Sequence, residues 1–182
     1  MPSAICLPRP VRVRFQPATL ALASSLALVL LAGCYETDLE LGPPESAKID
    51  PRFVGDWDFA DKGSAEVTRL VVRNFDGRQY YVAWDESKAE PYRAAAFTAE
   101  VGGATFAHVR GLTPENDVSG KHFLDRIDLT PDGKLSIRHL NGEFFEGKEV
   151  KTSAQLRKLV EANVNNEAMY DPETFYGTRV VR

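Results

Sequence analysis

The chain of 182 residues carries 22 Lys and Arg against 26 Asp and Glu, a formal net charge of −4. That balance excludes the basic face that nucleic acid requires and a polybasic patch for anionic membrane surfaces. Its two cysteines, Cys6 and Cys34, form no Cys-x-x-Cys metal spacing and no disulfide framework.

The N-terminal segment through Phe15 holds Arg9, Arg12 and Arg14 and no acidic residue. An apolar run from Ala18 to Ala32 follows, broken only by Thr19, Ser24 and Ser25. It falls short of the ~20 residues a membrane span needs and suits the core of a secretory signal. The run ends in Leu31-Ala32-Gly33-Cys34, which resembles the bacterial lipobox. In that family the cysteine thiol receives a diacylglyceryl group, the chain is cut before it, and the new amine is usually acylated. The resemblance implies that residues 1–33 are a signal peptide and that Cys34 begins the mature chain. Two or three acyl chains, at ~0.8 kcal/mol per buried CH₂, anchor a protein firmly where one chain does not. Tyr35 stands where an aspartate usually signals retention in the inner membrane. The resemblance thus implies the cell envelope, and the outer membrane in a cell that has one. An ordinary signal peptide cut near Gly33, or an uncleaved anchor, are the alternatives.

Removal of residues 1–33 leaves 149 residues with 19 basic and 26 acidic side chains, about −7. Cys6 leaves with the signal and Cys34 is consumed by lipid, so packing alone must stabilise the mature domain. The stretch from Tyr35 to Pro51 is acidic, contains three prolines and lacks apolar periodicity. It reads as a flexible linker over 34–51. One β-rich domain then spans 52–182, enough for a core of its own.

From Phe53 the pattern has period two. Phe53, Gly55, Trp57 and Phe59 alternate on a first strand. Two segments then share a turn signature, Asn74-Phe75-Asp76-Gly77-Arg78 and Thr130-Pro131-Asp132-Gly133-Lys134. Both read as a type I turn closed by a left-handed glycine, in a three-residue hairpin loop. That turn sets Val72 opposite Tyr80, Leu70 opposite Val82 and Thr68 opposite Trp84 in the first hairpin. In the second it sets Leu129 opposite Leu135, Ile127 opposite Ile137 and Asp125 opposite His139. A hairpin about Gly102-Gly103 lies between them. It puts Phe97, Ala99 and Val101 on one face with Ala104, Phe106 and His108, and Ala94, Ala96, Thr98, Ala107 and Val109 on the other. Small side chains on the second face pack closely or leave room for another element or a ligand.

A helix is predicted over 152–164. Thr152 and Gln155 form a capping box, and Leu156, Leu159, Val160 and Val164 make an apolar stripe. Residues 175–181 read as a last strand. Seven or eight antiparallel strands with one late helix predict a mainly β fold, a small barrel or strongly curved sheet. Gly55-Asp56-Trp57 resembles the Gly-x-Trp motif that opens lipocalin-type barrels. That resemblance implies an arginine stacked on Trp57 from the end of the barrel, and Arg179 is the residue in place. The family's Thr-Asp-Tyr motif is absent. The chain is also similar to small bacterial lipoproteins without an assigned activity, which share a Gly-x-Trp start and a late Asp-Gly-Lys-Leu hairpin.

His108, His122 and His139 all fall on predicted strands without metal-ligand spacing, so neither metal nor cofactor is expected. Nor does the chain hold a Gly-x-Ser-x-Gly elbow or a phosphate-cradling glycine loop. Asp125 beside His139 is expected as a structural ion pair, with half an acid–base site as the alternative. Trp57, Tyr80, Val82 and Phe106 are expected to line any cavity. Phe144 and Phe145, read as strand neighbours, point to opposite faces, one of them toward a partner. These features predict a non-enzymatic envelope lipoprotein that binds a small apolar ligand or an envelope protein partner. A cavity of ~300 Å³ or more separates those two versions. An envelope hydrolase using Asp125 and His139 is the alternative, and it requires a third convergent polar group.

Overall fold

The computed structural model describes residues 34–60, 67–85, 91–112 and 120–181. The signal-peptide reading of 1–33 lies outside them. Among the described residues there are nine strands: β1 (Glu36–Thr37), β2 (Gly55–Ala60), β3 (Val67–Asn74), β4 (Tyr80–Asp85), β5 (Tyr92–Val101), β6 (Ala104–Gly111), β7 (His122–Leu129), β8 (Leu135–His139) and β9 (Phe175–Arg179). The helices are α1 (Gly142–Phe145) and α2 (Ser153–Asn163).

Strands β2 to β9 form a closed antiparallel barrel. β2 to β8 pair in chain order, while β9 inserts between β8 and β2. β1 adds to β7 just beyond the end of β8, pairing Glu36 with Phe123 and Thr37 with His122. No helix among the described residues is long and apolar enough to cross a membrane.

The β7–β8 hairpin has the register its turn signature predicts, down to Asp125 opposite His139. So does β5–β6, where Val101 faces Ala104. Its two corner residues, Gly102 and Gly103, have φ of 59° and 79°, the left-handed pair a two-residue turn needs. The β3–β4 hairpin differs. Asn74 pairs with Tyr80, Val72 with Val82 and Leu70 with Trp84, two residues away from the expected register. Side chains take over the turn. Asn74 Oδ1 accepts from Gly77 N at 2.7 Å, and Asp76 Oδ1 accepts from Arg78 N and Gln79 N at 2.9 and 2.7 Å. These bonds satisfy a loop of five residues, and a shift of two leaves every side chain on its expected face.

Two apolar clusters lie on opposite sides of the barrel wall. The inner one includes Phe53, Trp57, Phe59, Leu70, Val72, Tyr80, Ala96 and Leu135. The outer one packs Val101, Ala104, Phe106 and Leu124 against Leu41, Leu140, Met169 and the α2 residues Leu156 and Val160. Thr152 caps α2 by accepting from Gln155 N at 3.2 Å. Gln155 Oε1 reaches back to Lys151 N at 2.8 Å, one residue before the cap itself.

The expectation of a flexible linker over 34–51 is corrected. Tyr35 N donates to Leu140 O at 2.9 Å, and its ring stacks on Phe145 at 3.9 Å. Leu41 is 1% exposed; its N–H donates to His108 Nε2 at 3.1 Å, and its carbonyl accepts from Arg157 at 2.5 Å. Asp50 N donates to the Tyr80 hydroxyl at 2.7 Å. The segment is a strap bound to the barrel by distant side chains. Phe144 and Phe145 also differ from expectation: they lie on α1, where Phe145 is buried and Phe144 half-buried against the outer core. Neither is an exposed contact.

Candidate ligand cavity

Strand register defines the two ends of the barrel. At one end β2 begins and β9 finishes, and there Arg179 pairs with Trp57. The Arg179 guanidinium lies 4.3 Å from the Trp57 ring centroid. It also donates to Val54 O at 2.8 Å and to Arg52 O. Gly55 explains the spacing of the motif: a Cβ there would meet Arg179 Nη1 at 2.5 Å. Trp57 is fully buried and its Nε1 donates to Phe53 O at 3.0 Å. This end is therefore closed by a satisfied stack.

Above it the interior is hollow. A cavity of about 150 Å³ lies among Leu70, Val72, Tyr80, Val82, Ala96, Thr98, Ala107, Val109, Ile127 and Ile137. Its lining is almost wholly apolar. At the far end it reaches Trp84, Tyr92, Phe123, Asp125, His139, Phe175 and Cys34. Cys34 arrives there because it bridges to Asn141, just after β8.

Of the four residues expected to line a cavity, Tyr80 and Val82 do so. Trp57 belongs to the closed end below it. Phe106 is a correction. It is fully buried on the outer face, with Leu41 and α2. It shares a face with the expected partners, but that face turns outward, and the small residues Ala96, Thr98 and Ala107 turn in. Sequence reasoning passed over Ile127, Ile137 and Trp84 as lining residues, though the register already placed the first two beside Asp125 and His139.

Asp125 and His139 meet as expected, Oδ1 to Nδ1 at 2.6 Å. Burial alone would lower the His139 pKa. The Asp125 carboxylate outweighs it, with Asp171 and Glu173 assisting, so the imidazole is held above its ordinary value. Asp171 itself is pushed up by burial against the pull of His139. The other histidines are elsewhere. His108 is fully buried on the outer face, stacked on Phe97 at 4.4 Å, with His122 edge-on at 5.6 Å. Burial and the His122 charge depress its pKa to about 3, which keeps Nε2 an acceptor for the strap. Among the described residues no group of three His, Cys, Asp or Glu side chains is placed to hold a metal.

Comparisons with protein-family models, with curated proteins and with solved structures find no match for this chain. The barrel and its cavity therefore carry the functional argument.

Proposed function

We propose that the protein is a lipid-anchored lipoprotein of the bacterial cell envelope, non-enzymatic, whose barrel binds one small apolar molecule. The observation that carries the binding is the apolar cavity of about 150 Å³. That is half the ~300 Å³ where ordinary ligand pockets begin. It equals, to order of magnitude, the engineered ~150 Å³ cavity of another protein that stays dry and takes benzene. The ligand is accordingly benzene-sized or a short alkyl group, not a drug-sized molecule.

The anchor rests on the sequence from Leu31 to Cys34, which resembles a lipobox. Two structural features support its pairing with the cavity. Cys34 is among the lining residues, and the strap leaves no slack between it and the barrel. A lipid on Cys34 would hold this end of the barrel at the bilayer, where apolar molecules concentrate. Intact mass of protein purified from membranes, with Cys34→Ser as control, tests the anchor. A chain starting at Cys34 with acyl mass, lost in the control, is expected; unmodified soluble protein overturns it. Benzene titration followed by thermal unfolding tests the cavity. Ligand bound to the folded state alone raises Tm; an unchanged Tm at saturating benzene removes the binding reading. The version with an envelope protein partner then stands in its place.

The hydrolase reading has one observation in its favour, Asp171 near the Asp125–His139 pair. The almost wholly apolar lining weighs against it. Hydrolysis of small ester probes that disappears in His139→Gln would restore it.

A further inference from the structure

We propose that the cavity ligand carries a neutral oxygen acceptor, held by the indole N–H of Trp84. This inference rests on the proposed cavity binding and names the class of molecule bound. The chain has two tryptophans, and the structure treats them differently. Trp57 Nε1 has its acceptor, Phe53 O. Trp84 Nε1 is also buried but has no hydrogen-bond partner among the described residues. Trp84 stands on β4 between Leu70 and Tyr92, and with both neighbours it lines the cavity.

Its other ring contact is Phe59, at 5.0 Å, which offers no acceptor. Native proteins seldom leave a buried donor unpaired, because its lost hydration is then uncompensated. A ligand oxygen in the cavity would supply what the walls lack. The acceptor is neutral for a physical reason. A carboxylate would have to shed its water among apolar walls and approach Asp125, whose charge already faces His139. Volume and donor together describe a small ketone, aldehyde, ester or ether with a benzene-sized or short-alkyl body.

The test uses two probes of nearly equal size, acetophenone and cumene, the second carrying a methyl group where the first carries its carbonyl oxygen. Both are titrated into the wild-type protein and into Trp84→Phe, which keeps an aromatic ring and removes the N–H. Trp84→Phe is expected to weaken acetophenone about tenfold, near 1.4 kcal/mol, and to leave cumene within about twofold. A second readout needs no variant to fold. In an ¹⁵N spectrum of the wild type, the Trp84 indole proton should move downfield with acetophenone and not with cumene. Equal effects of the substitution on both probes, or an indole proton unmoved by bound acetophenone, overturn the inference while leaving cavity binding intact. Failure of both probes to bind overturns the cavity reading and this inference with it.

Discussion

The two apolar cores share a wall and differ in how they are filled. On the outer face Phe106, Leu124, Leu140, Leu156, Val160 and Met169 are no more than 1% exposed, and α2 and the strap close over them. On the inner face, residues of comparable size surround a void of about 150 Å³. The difference lies in what can move. A helix and a strap settle until side chains touch, as close packing favours. A ring of eight hydrogen-bonded strands has its diameter fixed by strand number and stagger. Side chains as small as Ala96, Thr98 and Ala107 then leave space that the wall cannot collapse to remove.

Three experiments press on that contrast. Phe106→Ala should cost about 3–5 kcal/mol in urea unfolding, while benzene binding in the variant stays within about twofold. A large loss of binding would return Phe106 to the cavity and break the division into two cores.

Acid should act through the outer core. His108 has an ordinary value of 6.5 and a folded value of about 3. Between those limits the unfolded chain takes up a proton that the folded chain refuses. Stability therefore falls as pH drops through that window, by about 3 kcal/mol at pH 4. His139, on the inner face, has the other sign. Its raised folded value contributes stability below the unfolded pKa, and that contribution is lost as pH rises through the folded one. Urea midpoints from pH 7 to pH 4 should slope downward in the wild type and flatten in His108→Gln. The same slope in both proteins would show that the acid sensitivity lies elsewhere.

The smallest effect is the sharpest comparison. Ala104→Val on the outer face should overpack a filled core and cost about 1–3 kcal/mol. Ala96→Val on the inner face adds the same two methyl groups to a void, so its stability change should be near zero while benzene binding weakens. Equal destabilisation by the two changes would mean that the inner core is as tightly filled as the outer.

Much of the fold was legible from side-chain alternation and turn chemistry. Pro131 and Gly133 fixed the β7–β8 register, and with it the meeting of Asp125 and His139. Gly102 and Gly103 fixed β5–β6. The first hairpin departs from its expected register by two residues because Asn74 and Asp76 bond to the turn backbone themselves, an option that residue pattern alone does not rank. The strap has the residue pattern of a linker because its ordering comes from afar. Leu41 is its one deeply buried apolar anchor, and His108, Ser153 and Arg157 hold its backbone. No periodicity within 34–51 could report those contacts.

The sequence by itself determined the antiparallel β character, the helix with its cap, and which side chains share a face. Local hydrogen-bonding geometry and the two-residue period of a strand are enough for that. Only the tertiary structure decided that β9 closes the ring between β8 and β2, that the small-residue face of β5 and β6 turns inward, and that the inner core keeps a void. Both faces of those strands are apolar, so burial energy alone does not choose between them. Closure chooses, because a barrel wall has room for small side chains within and a covering helix can fit itself to large ones without.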